Sequence, residues 1–146
     1  MKTRIISKLL LTLGLVFVLG SAITQVRGQG VVTISSTGDI TRGETGSFFV
    51  DLRGVLIFGG TYVNFSVNGT ATPGVDYVTL ISPAPINRVR PCNICQGLYY
   101  GVIPVKTLPD LRGSFFPQAY SVVVTLEPGV GYAIGEPSSA TIWINP

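Results

Sequence analysis

Apolar and polar side chains alternate through much of this chain. Over residues 62–67, Val63, Phe65 and Val67 fall on one face, and Tyr62, Asn64 and Ser66 on the other. A period of two is that of a strand with one face in a core and the other in water. The same pattern predicts strands at 31–35, 47–52, 120–126 and 139–144. In the third of these, Val122, Val124 and Leu126 share a face; in the last, Ile142 and Ile144 oppose Thr141 and Trp143. Residues 98–108 also read as a strand, restricted to an edge or a bulge because Pro104 cannot donate to a ladder. Residues 68–77 form a turn with little freedom, and the apolar run 78–81 reads as a short strand leaving it.

Turn-rich stretches separate these runs, at 38–46, 110–118 and 128–137. Val55 to Phe58 is a short apolar piece between glycines, a loop edge or a short edge strand. Residues 82–97 carry Pro83, Pro85 and Pro91 and read as a loop or broken edge. About seven strands and no helical period predict an all-β fold, an antiparallel β-sandwich. A barrel or a mixed fold is the alternative.

Composition agrees with strands and turns: Val, Ile, Thr, Ser, Gly, Pro and aromatics abound, and Lys, Glu and Leu are scarce in the part after residue 28. The N-terminus is different. Lys2, Arg4 and Lys8 precede an apolar run from Leu9 to Leu19, and small residues follow it. This is the pattern of a secretory signal peptide, with cleavage after Ala22 or after Gly28, the latter favoured. An uncleaved membrane anchor would need Ser21, Thr24 and Gln25 to complete a span of roughly 18 residues. Residues 1–28 are therefore taken as a signal peptide and 29–146 as one domain, placing the protein outside the cell, in the periplasm or at the cell surface. Losing residues 1–28 removes four of ten basic residues and none of the seven acidic ones, which turns a net charge of +3 into −1. No basic patch remains to follow a phosphate backbone, so nucleic acid is not an expected partner.

The sequence Gly69-Thr70-Ala71-Thr72-Pro73-Gly74-Val75-Asp76-Tyr77 resembles the Gly-Thr-Ala-x-x-Gly-x-Asp-Tyr signature of Calx-beta domains. The C-terminal third is similar to that family's last two strands, through Val122 to Leu126, Gly131 to Gly135 and Ser138 to Ile142. The resemblance spans roughly residues 31–144 and implies a seven-stranded immunoglobulin-like sandwich. Members of that family occur in exchangers, integrin subunits and adhesion proteins, and some bind calcium at one end through clustered Asp and Glu. Here Asp76 matches the motif's Asp and Asp110 loosely matches a second ligand. Glu44 is the only N-terminal acidic candidate nearby. The two glutamates expected before the penultimate strand are replaced by Phe115, Phe116, Pro117, Gln118 and Tyr120. Calcium takes about six to eight oxygen ligands, so Asp76 and Asp110 make an incomplete set. The plainer reading of Asp76 is a carboxylate that caps its own turn.

Cys92 and Cys95 are the two cysteines, and there is no histidine. A zinc site lacks its other ligands. A redox pair lacks a helix for its first cysteine. A short disulfide pinning the loop of an exported protein is the reading that remains. Asn64 and Asn68 each open an Asn-x-Ser/Thr sequon, of consequence only in a glycosylating host. Without histidine, Ser-His and Cys-His nucleophile pairs are absent. Phe115-Phe116 and Leu98-Tyr99-Tyr100 read either as an exposed contact patch or as a buried plug in place of the missing calcium carboxylates, the plug being favoured. The expected function is that of a non-enzymatic structural or adhesive module without a cofactor, contacting a protein or a surface or matrix component. Membrane association is expected only if residues 1–28 stay attached. Alternatives are a calcium-binding module and a redox protein using Cys92 and Cys95.

Overall fold

The computed structural model describes residues 29–54, 61–89, 98–113 and 118–146. Among them the chain is all β, with no helix: β1 Gly30–Ser36, β2 Ile40–Thr41, β3 Thr45–Arg53, β4 Thr61–Val63, β5 Phe65–Asn68, β6 Ala84–Ile86, β7 Arg88–Val89, β8 Leu98–Lys106, β9 Tyr120–Leu126, β10 Tyr132–Ile134 and β11 Ser139–Asn145. One sheet has the order β10-β1-β3-β8-β7, a second β2-β11-β9-β5, and β4 with β6 makes a small third.

The alternation places one face of each long strand inside. Val32 and Ile34 of β1, Phe48, Val50 and Leu52 of β3, and Ile103 and Val105 of β8 are buried in one cluster with Val122, Val124 and Leu126 of β9 and Ile142 and Ile144 of β11. Full burial of such a side chain is worth roughly 1.5–3 kcal/mol, so the apolar faces of the two large sheets close on each other as a β-sandwich.

Several elements differ from the sequence expectation. The described residues alone hold eleven strands where about seven were expected, because short ones fill the turn-rich stretches. The sheets are not purely antiparallel. β10 joins β1 in parallel, and β2 joins β11 in parallel. Side-chain alternation specifies which face is buried and carries no information on the direction of the neighbour.

The run 62–67 is not one strand. β4 pairs with β6 and β5 with β9, so the chain changes sheets at Asn64. Tyr132 holds that crossing. Its hydroxyl donates to Glu127 O at 2.7 Å and accepts from Asn64 N at 3.0 Å. Glu127 N in turn donates to Asn64 O at 2.9 Å. A tyrosine near a strand start bonding a few residues upstream is a device of Greek-key sandwiches.

Residues 78–81 form no strand, and Val78 and Ile81 are exposed. The extended structure comes later, at β6 and β7, inside the stretch expected to be a loop. Ala84 and Ile86 are buried and Pro85 points outward, so a period of two lies hidden among prolines. Pro85 is tolerated because β6 is an edge strand. Residues 98–106 do form a strand, with Pro104 opposite Ser47. Beyond Tyr99 and Tyr100, where β7 pairs, the outer side of β8 is an edge, as the proline requires. Residues 1–28, Val55 to Phe58, Cys92, Cys95, Phe115 and Phe116 lie outside the described residues.

Candidate functional site

The turn at 68–77 begins with two glycines that need their freedom. Gly69 has φ +117°, and a Cβ there would lie 2.2 Å from Ser121 O. That oxygen is already used, accepting Ala71 N at 2.9 Å. Gly74 has φ +76° with open space around it. Residues 72–77 make one tight coil around Gly74, with Val75 N and Asp76 N both donating to Thr72 O and Gly74 N donating to Tyr77 O. Tyr77 then bridges to Thr107 just after β8. This coil turns the Asp76 side chain inward, where the residue is 0% exposed.

A buried carboxylate is costly unless it is paired and hydrogen-bonded. Asp76 Oδ2 accepts Thr72 N at 2.7 Å and Arg112 Nη2 at 2.5 Å. Asp76 Oδ1 accepts Arg42 Nη2 at 2.6 Å. The Asp76 carbonyl accepts Leu108 N at 2.8 Å, and Arg42 Nη1 donates to Leu108 O at 2.9 Å. Asp110 completes the group. One oxygen lies 3.7 Å from Arg42 Nη2 and the other accepts Arg112 N at 3.0 Å. The Tyr120 ring lies beneath both cations, 4.4 Å from the Arg112 guanidinium carbon and 5.6 Å from that of Arg42, within cation–π reach. Two cations and two carboxylates thus balance.

Burial opposes ionisation of Asp76. The Arg112 hydrogen bond, the Thr72 N–H, the Arg42 hydrogen bond and the Arg112 charge outweigh it and hold the carboxyl below its ordinary value. Burial first, and the Asp76 charge second, push the Tyr77 phenol up. A carboxylate held ionised with both oxygens engaged is poorly placed to act as a general base or acid near neutral pH.

The structure therefore brings Asp76 and Asp110 together, with Arg42 and Arg112 between them. The turn-capping role expected of Asp76 is present in its bond from Thr72 N. Glu44 serves elsewhere: its Oε2 accepts Thr41 N at 2.8 Å. Among the described residues no three Asp, Glu, His or Cys side chains gather as metal ligands. The donor set around Asp76 is guanidinium and amide N–H, which cannot ligate a cation, and so does not fit calcium as it stands. The plug expected from Leu98, Tyr99 and Tyr100 is not there. They are half-buried at the far end of β8 from Thr107, a nine-residue strand away, and Tyr100 packs at a tilt on Phe49. Tyr120 is the aromatic residue recorded against the cluster, through the two guanidinium groups. Asn64, just before β5, and Asn68, its last residue, are both exposed. The Asn64 amide donates to Pro128 O at 3.1 Å.

A second feature adjoins this cluster. Along the outer edge of β8 runs a groove of about 470 Å³ with walls of Val78, Leu80, Ile81, Ala84, Pro85, Val102, Ile103 and Pro104. Ile81 is 83% exposed. Thr45, Thr79 and Lys106 complete its lining.

No protein-family model matches this chain, and no curated protein matches its sequence.

Proposed function

We propose that this protein is an exported, non-enzymatic binding module built as a Calx-beta-like sandwich, acting by protein contact at the cell surface or in a matrix. The observation that supports this reading is the groove along β8, where large apolar side chains line an open sheet edge. Apolar surface gathered in a concave strip, rimmed by polar residues, is the usual form of a contact site. An extended segment of a partner would lie along the edge of β8, its side chains over Ile81 and Val102. Export rests on the N-terminal pattern of residues 1–28, and the Calx-beta assignment on the motif from Gly69 to Tyr77.

The test is retention of envelope or matrix proteins by the purified domain, compared with an Ile81→Asp variant of equal melting temperature. The wild type should retain a defined partner that the variant loses. Equal retention by both, or retention by neither at ordinary salt, would discard the groove as the contact site.

A further inference from the structure

We propose that the guanidinium groups of Arg42 and Arg112 take the place of a divalent cation between Asp76 and Asp110, so that this end of the sandwich is locked without metal. The charges make the case. Two carboxylates approaching at one loop end repel each other unless positive charge lies between them. Arg42 Nη2 does so here, 2.6 Å from Asp76 Oδ1 and 3.7 Å from Asp110 Oδ2. Arg112 supplies the second positive charge, on Asp76 Oδ2. Together they deliver the two units of charge that a divalent ion would bring.

The geometry also differs from that of a site awaiting an ion. Both Asp76 oxygens are engaged by donors, and the Leu108 carbonyl, which could have been a ligand, accepts Arg42 Nη1. The arginines reach Asp76 from opposite sides in sequence, Arg42 from the turn between β2 and β3 and Arg112 from the segment after β8. They tie the two connections that carry Asp76 and Asp110, as a shared ion would, and add the turn that carries Arg42. A guanidinium differs from an ion in one respect: it is covalently part of the chain and cannot leave. Cross-linking of this end therefore does not depend on the calcium concentration outside the cell.

The decisive measurement is thermal melting of the unaltered protein with excess chelator and with about 5 mM calcium. A weak extracellular calcium site, with Kd about 10⁻⁴ to 10⁻³ M, would raise Tm by several degrees at that concentration. The expected shift is below about 1 °C, too small for any such site. A rise of several degrees with calcium, or a fall with chelator, overturns the proposal. Arg42→Gln and Arg112→Gln form the second arm. Each should melt below an Arg53→Gln control, whose side chain is on the exposed end of β3, and failure of either to fold counts as the same outcome. Melting equal to the control overturns the proposal independently of the calcium result.

Discussion

Asp76 and Ile81 are five residues apart and reverse the ordinary partition of side chains. The carboxylate is 0% exposed and the aliphatic chain 83% exposed. The contrast separates two uses of one connection. Residues 72–77 are closed by internal bonds: Asp76 receives three side-chain hydrogen bonds, and Tyr77 is buried against Thr107. Among the described residues, 78–81 have one backbone tie, Val78 N to Lys106 O at 2.9 Å, and then run along β8 with Val78 and Ile81 open to solvent. Burial of the charge is explained by its partners within the fold. Exposure of Ile81 has no such explanation among the described residues, and this directs the search for a partner to the groove rather than to the charged cluster.

The comparison breaks most sharply at the carboxylate. Asp76→Ala would leave Arg42, with a side chain 11% exposed, facing Leu108 and Asp110 without its main partner. Loss of one member of a buried pair costs about 3–5 kcal/mol, to be read as a lower urea midpoint at constant slope. A loss under about 1 kcal/mol would place the cluster among ordinary surface pairs. Next is Gly69→Ala, where positive φ and the contact with Ser121 O act together. About 3 kcal/mol is expected from the strain alone. Gly74→Ala, with no neighbour to meet, should cost roughly 1 kcal/mol, so the excess at Gly69 reports its greater strain and its close approach to β9 together.

Acid offers a gentler probe of the same cluster. The Asp76 carboxyl titrates lower in the folded protein than in the unfolded chain, where about 3.9 is usual. Its contribution is therefore fully present above that value and is lost as pH falls through the folded pKa. The urea midpoint should fall below about pH 4, and Asp76→Asn should flatten that part of the profile. Equal profiles for the two proteins would mean that other carboxylates dominate acid unfolding.

How much of this could be read from the sequence follows from where the information lies. The long strands β1, β3, β9 and β11 were legible because their alternation is local and uninterrupted. The sheet change at Asn64 was not, since Val63 and Phe65 keep the same alternation while their strands pair with different partners. β6 was hidden because Pro83 and Pro85 argue for a loop, while only the burial of Ala84 and Ile86 shows the strand. At the site, the motif singled out Asp76 and, loosely, Asp110 as ligand positions, and turn chemistry gave Asp76 its capping role. The arginines were missed because their pairing is non-local, 34 and 36 residues from Asp76. One signal was present: Arg112 stands two residues after Asp110, in a domain with few basic residues. The groove was anticipated only as a sheet edge limited by Pro104, since exposure of 78–81 depends on how the turn leaves the sandwich.

The finest test of the contrast uses two isoleucines in one segment. Ile81 is 83% exposed and Ile86 is 0% exposed. Ile86 packs beneath β8, where a Cβ on Gly101 would meet its Cδ1 at 3.0 Å. Ile86→Ala should therefore cost about 2–5 kcal/mol, the range for a truncated core aliphatic. Ile81→Asp removes little buried area and places a charge in water, so its effect on stability should stay within about 0.5 kcal/mol. Urea titrations of both variants check this. A marked destabilisation by Ile81→Asp would mean that Ile81 belongs to the fold, and the reason for seeking a partner there would go. Near-neutral stability, together with loss of partner retention, would assign Ile81 to recognition, because the only thing the aspartate changes is the surface offered to another molecule.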